Sequence, residues 1–145
     1  MDDSEQLLIE RACERLVTQY CHFVDHGEGA RVAELFSEDG VWSSPETTMT
    51  GRAAIRAGFQ RRQDNSARMS RHVCSNLLID VESNDQARGA VYLTLYRHDG
   101  EPGRRVSPSA VPSIVGEYRD VFRRTEAGWR FERRDISVSF VALEH

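Results

Sequence analysis

The sequence predicts an α+β domain in which helices come first along the chain and an antiparallel sheet follows. Up to residue 64 the apolar residues recur at helical spacing, and from Ser70 onward they alternate as they do in strands. Turn signals at 83–85 and 126–128 join consecutive strands into hairpins. Helices that precede antiparallel strands are typical of this class and not of a parallel, doubly wound sheet.

The first and longest predicted helix covers residues 4–26. Ser4 can cap its start, and Gly27 is the kind of residue at which helices end. One face of this helix is apolar, formed by Leu8, Ala12, Leu16, Tyr20 and either Phe23 or Val24. We therefore expect that face to be buried against the sheet.

The rest of the N-terminal half is predicted to hold two shorter helices and one short strand. Val32, Leu35 and Phe36 form the apolar stripe of the second helix, and the third helix covers residues 52–64. The segment between these helices divides into a turn at 37–40, a strand at 41–43 and a loop at 45–51.

The C-terminal half is predicted to form four long strands, at 71–82, 87–98, 113–125 and 128–140. The segment 99–112 is rich in Gly, Pro and Ser and is predicted to be a long loop. Strict alternation along the first of these strands places on the face of His72 the side chains of Cys74, Asn76 and Leu78. The opposite face would then carry Val73, Leu77 and Ile79.

Length and charge narrow the partners that we expect. The 145 residues fit one domain, which we assign to residues 1–142, and 143–145 resembles the remnant of an expression tag. The net charge is −4, and arginine pairs such as Arg133-Arg134 are interpreted as solvated faces, so no nucleic-acid partner is expected. No apolar run approaches the ~20 residues of a membrane span, so no membrane partner is expected either.

The histidines and cysteines indicate neither a metal nor a cofactor. His22, His26, His72, His98 and His145 are scattered without the spacing of metal ligands. No glycine-rich phosphate loop is present in the sequence. The acidic first residues do not suit a secretory signal, and Cys13, Cys21 and Cys74 are interpreted as free thiols in a reducing cytoplasm.

Several stretches resemble SnoaL-like proteins of the NTF2-like superfamily and together cover nearly the whole chain. These stretches are 20–25, 33–36, 39–42, 51–55, 70–73 with Asn76, 116–120 and 128–131. The branch that they resemble is the scytalone dehydratase-like and ring-hydroxylating dioxygenase β-subunit-like group. The resemblance implies a cone-shaped fold, with three N-terminal helices packed on a curved, mainly antiparallel sheet that encloses a pocket for a small hydrophobic molecule.

The same resemblance implies a catalytic site. Scytalone dehydratases eliminate water without metal or cofactor, using histidines, tyrosines and an aspartate inside the cone. By position their aspartate matches Asp25 and their first histidine matches His72. Their second histidine falls near His98 if one residue of slippage is allowed, whereas the tyrosine before their aspartate is Val24 here.

The residues themselves allow an acid–base pair. Asp25 is predicted in the last turn of the first helix, where the helix dipole disfavours a carboxylate, so it is interpreted as held for a partner such as His72. A carboxylate that accepts the proton of one imidazole nitrogen leaves the other nitrogen free as a base. The alternative is an exposed aspartate at a helix end and a structural histidine on a strand.

Seven further residues are candidates for binding a substrate: Tyr20, Trp42, Asn76, Tyr92, Tyr96, His98 and Tyr118. Sequence alone does not decide whether the face of the second long strand that carries Tyr92, Tyr96 and His98 lines the pocket or faces solvent. In the first case the phenol hydroxyls could polarise a substrate carbonyl, and in the second they form surface pairs.

Two functions follow from these expectations. The first is a cofactor-independent acid–base enzyme, a lyase or isomerase that acts as a dehydratase, isomerase or cyclase on a small hydrophobic, aromatic or polyketide-like molecule. The second is a non-catalytic protein, either a ligand-binding domain or an assembly partner like the dioxygenase β-subunits. A homodimer or a higher homo-oligomer is expected under both.

Overall fold

A computed structural model describes residues 1–109 and 111–143 of the chain. The elements are α1 (Asp3–Asp25), a 3-10 helix (Gly29–Leu35), β1 (Phe36–Ser43), β2 (Thr48–Thr50), α2 (Arg52–Asp64), β3 (Arg68–Val81), β4 (Gln86–Asp99), β5 (Ile114–Thr125) and β6 (Gly128–Val141). Residues 144 and 145 of the suggested tag remnant lie outside the described part.

The helices pack on a six-stranded mixed sheet with the order β2-β1-β6-β5-β4-β3. β1 runs parallel to β6, and every other neighbouring pair of strands is antiparallel. The sheet is mainly antiparallel because β3 to β6 follow one another in sequence and pair in that order. The predicted α+β class, with N-terminal helices on this kind of sheet, is confirmed.

α1 begins and ends at residues that satisfy its free backbone groups. Asp2, and not Ser4 as predicted, caps the start: its carboxylate accepts from the Glu5 amide at 2.8 Å, and the Glu5 carboxylate accepts from the Asp2 amide at 3.1 Å. Gly27 ends the helix as predicted, with a φ of 76° that favours glycine. The Glu28 amide then donates to the Phe23 carbonyl at 2.9 Å, which closes the last turn.

The region around β1 differs from the prediction in two places. The expected turn at 37–40 lies inside β1, where the pairing with β6 shifts register between Phe36 and Val41. Polar turn residues are tolerated there because a register shift leaves them out of the regular ladder. The expected loop at 45–51 contains the short strand β2, in which Thr48 pairs with Ser43.

β3 does not keep the strict alternation that the sequence suggested. A bulge between Ser75 and Leu78 interrupts its pairing with β4, and Asn76 within it adopts a φ of 54°. The bulge inserts one residue, so the faces exchange along the strand. Cys74 packs inward before it, and the residues that pack inward after it are Leu77, Ile79 and Val81. Leu78, predicted on the face of His72, is 59% exposed.

The core lies between the helices and the inner face of the sheet. Its largest apolar members are aromatic: Tyr20, Phe36, Trp42, Phe59, Tyr118, Phe122 and Phe131. Burying one such side chain contributes about 1.5–3 kcal/mol, so this cluster dominates the packing that holds α1 and α2 on the sheet. No helix in residues 1–109 and 111–143 combines the length and the apolar character that crossing a membrane would need.

Candidate functional site

Asp25 and His72 meet where the end of α1 crosses the start of β3. His72 Nδ1 lies 2.6 Å from Asp25 Oδ1, and both side chains are nearly buried, with exposures of 6% and 5%. Two further donors hold the carboxylate, the Ser70 hydroxyl and the His72 amide, each at 2.8 Å. The aspartate is therefore fixed by three hydrogen bonds from one strand.

The surroundings keep Asp25 ionised. Burial by itself acts to raise the pKa of this carboxyl. The hydrogen bonds and charge of His72, together with the Ser70 hydroxyl, outweigh burial and lower the pKa below its ordinary value of 3.8. At neutral pH the carboxylate is an acceptor only, so His72 Nδ1 carries the proton that lies between them.

This tautomer leaves His72 Nε2 with a free lone pair. In the described part of the chain, Nε2 has no hydrogen-bond partner. It is not fully buried either, and so retains some accessible surface. A solvent-sized molecule can therefore reach it. The ring is oriented from one side and accessible from the other, which is the arrangement that a general base requires.

His72 forms part of the wall of a cavity of about 340 Å³, which we call the main cavity. Most of its other walls are apolar or aromatic: Tyr20, Trp42, Leu93, Leu95, Ile114, Tyr118, Ile136, Val138 and Val141. A volume of this size, with few polar groups among apolar ones, suits a small organic ligand.

Two phenols line the main cavity beside the imidazole. Tyr20 and Tyr118 are almost fully buried, and the Trp42 indole donates to the Tyr20 hydroxyl at 3.0 Å. Burial raises the pKa of both tyrosines, although the nearby Arg134 opposes it. Both phenols therefore remain neutral at physiological pH and can donate hydrogen bonds.

A buried ion pair packs against these aromatic rings. Arg134 binds Asp120 through two hydrogen bonds, at 2.8 and 3.1 Å, and both side chains are fully buried. The Arg134 guanidinium stacks on Tyr118 at 3.7 Å and on Tyr20 at 4.4 Å. The interpretation of Arg134 as part of a solvated face is wrong. This ion pair could have been predicted only from the register of β5 and β6, which places Asp120 opposite Arg134.

Three of the seven predicted binding residues, Tyr20, Trp42 and Tyr118, line the main cavity. The others do not line it, and the structure gives a reason for each position. Tyr92 and Tyr96 lie on the outer face of β4, 53% and 39% exposed, because the inner face carries Val91, Leu93 and Leu95. Asn76 is exposed in the bulge of β3, and His98 continues the outer face of β4.

His72 also lines a second cavity, of about 230 Å³, which we call the side cavity. The polar groups on its wall include Asp25, Gln63, Asn65, Ser66, Arg68 and Ser70. It shares three residues with the main cavity: Arg62, His72 and Arg97. Sequence reasoning missed Arg62 and Arg97, although Arg97 continues the alternation of Leu93 and Leu95.

No group of three or more His, Cys, Asp and Glu residues in the described part of the chain is placed to hold a metal ion. Cys13, Cys21 and Cys74 are free thiols, and Cys21 Sγ lies 3.5 Å from Cys74 Sγ.

Fold and site together define a small α+β domain that holds an aspartate–histidine pair whose imidazole lines a cavity. Residues 5–135 match the family described as the SnoaL-like domain, and the chain belongs to that family. The predicted membership is thus confirmed. No curated protein matches the chain.

Solved structures show the same fold. A protein from Novosphingobium aromaticivorans provisionally assigned as a scytalone dehydratase has a TM-score of 0.84 and 24% identity, covering 99% of this chain and 93% of that one. An NTF2-like protein with a cystatin-like fold, from the same species, has 0.76 and 27%, covering 99% and 94%. The hexachlorocyclohexane dehydrochlorinase LinA-type3 from Novosphingobium barchaimii has 0.79 and 17%, covering 97% and 93%. The predicted NTF2-like fold is confirmed.

Proposed function

We propose that this protein is a cofactor-independent acid–base enzyme that processes a small hydrophobic, aromatic or polyketide-like molecule in the main cavity. The observation that carries the proposal is the 2.6 Å contact between Asp25 and His72, with Nε2 left accessible on the cavity wall. The reaction would be an elimination, an isomerisation or a cyclisation, since each begins with proton transfer to a positioned base.

In an elimination, His72 Nε2 removes a proton from a substrate carbon, and the electrons of that C–H bond form the new double bond as the leaving group departs. Asp25 keeps Nδ1–H in place and stabilises the imidazolium that results. The imidazolium then returns its proton to a departing hydroxide, which leaves as water. Tyr20 and Tyr118 are neutral donors that could stabilise charge on a substrate oxygen.

The related structures support an elimination more than the other two reactions. One is provisionally assigned as a dehydratase and another is a dehydrochlorinase, so the names of both describe the loss of a small molecule from a substrate. We keep isomerisation and cyclisation within the proposal because the same base serves all three.

We further propose that residues 1–142 form a single domain that works as a homodimer in the cytoplasm. The outer face of β3 and β4 supports self-association, because it exposes a group of apolar side chains: Val73, Leu78, Tyr92 and Tyr96. Free cysteines are consistent with a reducing compartment. Light scattering on the purified protein gives the oligomeric state, and a monomer at micromolar concentration would contradict the dimer.

His72→Ala tests the proposed base. We would screen hydroxylated aromatic ketones and polyketide-like compounds with wild-type protein and follow the loss of water by mass spectrometry. On any compound that turns over, His72→Ala should lower kcat/KM by about 10²–10⁴-fold, the contribution of one acid–base group. Tyr92→Phe, on the outer face, is the matched control and should keep full activity.

Equal turnover by wild type and His72→Ala would eliminate His72 as the base. The alternative, a β-subunit-like assembly partner, predicts no turnover of any compound. It predicts instead that the chain co-purifies with a larger iron–sulfur subunit from the organism that expresses it.

A further inference from the structure

Two arginines, Arg62 and Arg97, line both the main and the side cavity, as His72 does. Arg62 comes from the last turn of α2 and Arg97 from the inner face of β4. Both line both cavities, and His72 is the only other one of the described residues that does so. Two guanidinium groups are therefore brought from distant parts of the chain to the place where the proposed base is reached.

Neither guanidinium is neutralised by the protein. Within residues 1–109 and 111–143, the side chains of Arg62 and Arg97 donate no hydrogen bond and form no ion pair. Their neighbour Arg68, by contrast, binds Asp99 through two hydrogen bonds at 2.8 and 3.0 Å. Arg62 is held only by stacking on the rings of Phe59 and Trp42, at 4.7 and 5.3 Å.

The charges around Arg97 make this region positive. Burial lowers the Arg97 pKa, and the positive charges of Arg68 and Arg62 lower it further, against the opposing effect of Asp99 and Glu46. Glu46 is exposed at the rim of the main cavity, and Asp99 is already bound by Arg68. The protein thus accepts repulsion between half-buried cations, which a bound anion would relieve.

The other nearby carboxylate does not compensate these arginines. Asp25 lines the side cavity, but its oxygens accept from His72 and Ser70 and lie in the acid–base pair. The main cavity that these two arginines line also has apolar walls, formed by residues such as Leu93 and Leu95. The site therefore combines free cationic groups with apolar walls, and the imidazole of His72 lines the same two cavities.

We propose that the substrate carries a carboxylate, which Arg62 and Arg97 bind while its apolar body occupies the main cavity beside His72. Guanidiniums suit this task because their planar N–H groups match a carboxylate. Neutralising the carboxylate also makes proton removal from a nearby carbon easier, since less negative charge accumulates. This inference rests on the proposed function for the role of His72, but the anion site itself is testable without any turnover.

Calorimetric titration of three aromatic acids against their neutral amides tests the anion site. The pairs are benzoate and benzamide, cinnamate and cinnamamide, and 2-naphthoate and 2-naphthamide. Hydrogen bonds to a charged group contribute about 1.5–3 kcal/mol, so at least one acid should bind about tenfold or more tightly than its amide. Arg97→Gln and Arg62→Gln should each remove most of this preference. Arg56→Gln, an exposed arginine of α2 outside both cavities, should keep it.

Measurements on the wild-type protein guard against variants that do not fold. The affinity for the preferred acid should fall as salt is raised, whereas that for its amide should not change. The proposal is overturned if no acid binds more tightly than its amide, or if folded Arg62→Gln and Arg97→Gln both keep the preference.

His72→Ala separates this inference from the proposed function. The variant should lose turnover and still prefer the acid to its amide, because the arginines are unchanged. If His72 is not the base, the preference for the acid over its amide should remain. If Arg62 and Arg97 do not bind an anion, the effect of His72→Ala on turnover should remain.

Discussion

The protein contains two buried pairs of an acid and a base, and they differ in what surrounds the base. In the Asp25–His72 pair, one ring nitrogen is bound and the other reaches a cavity. In the Asp120–Arg134 pair, the guanidinium is sealed between aromatic rings, although its Nη1 has no hydrogen-bond partner in the described part of the chain. The first pair can exchange a proton with a ligand, and the second can only hold structure.

The proposed acid–base pair and the structural ion pair lie close together in one small core. Tyr20 and Tyr118 belong to both regions, since they line the main cavity and stack on Arg134. The Asp120–Arg134 pair thus positions the phenols that line the main cavity together with the proposed base, His72. Burial alone does not distinguish the two pairs, because all four side chains are nearly inaccessible. What distinguishes them is that one nitrogen atom of His72 remains accessible.

Arg134→Met should have the largest effect on stability. It leaves the Asp120 carboxylate buried without a partner, and breaking such a pair costs about 3–5 kcal/mol. Urea unfolding followed by circular dichroism measures the change in the free energy of unfolding. The double variant Arg134→Met with Asp120→Leu should recover much of the loss, because no charge then remains buried. A loss below about 1 kcal/mol in the single variant would show that the pair is not structural.

Asp25→Asn should have a smaller and pH-dependent effect. The folded protein lowers the pKa of this carboxyl, so its contribution to stability is present above the ordinary value of 3.8 and is lost as pH falls through the lowered value. At about pH 7 we expect the variant to be less stable by about 1–3 kcal/mol, the contribution of hydrogen bonds to a charged group.

Urea unfolding of wild type and Asp25→Asn across the acid range checks this dependence. The difference between the two proteins should shrink as pH falls below 3.8. A difference that stays constant with pH would mean that Asp25 is not held as a carboxylate by His72 and Ser70.

Much of the fold could be predicted because its main elements follow local rules. The glycine that ends α1 and the alternation in β4 to β6 arise from residues close in sequence. The predicted buried face of α1 was right for Leu16 and Tyr20 but wrong for Leu8, which is 72% exposed. The exceptions need tertiary information. The turn-like residues 37–40 lie inside β1, within the register shift of its pairing with β6, and Asn76 leaves the inner face because a bulge shifts β3.

The site was predictable only in part, for the same reason. Asp25 and His72 could be named because Asp25 is an unusual residue at a helix end and because both match a family pattern. The alternation of β4 groups Arg97 with Leu93 and Leu95, but an arginine on a strand is usually exposed, and only the packed sheet shows that Arg97 and Arg134 lie on its inner face. Tyr92 and Tyr96 are exposed for the same reason, because they lie on the face of β4 that turns out to be the outer one.

The central claim is that Asp25 fixes the His72 imidazole with its proton on Nδ1 and a free lone pair on Nε2. Nitrogen NMR of protein labelled at histidine, recorded at about pH 9 so that imidazoles are neutral, observes this tautomer directly. The signals of His72, assigned with His72→Ala, should show a protonated Nδ1 and an unprotonated Nε2, and Asp25→Asn should lose this bias. A wild-type spectrum with the proton of His72 on Nε2 would contradict the account.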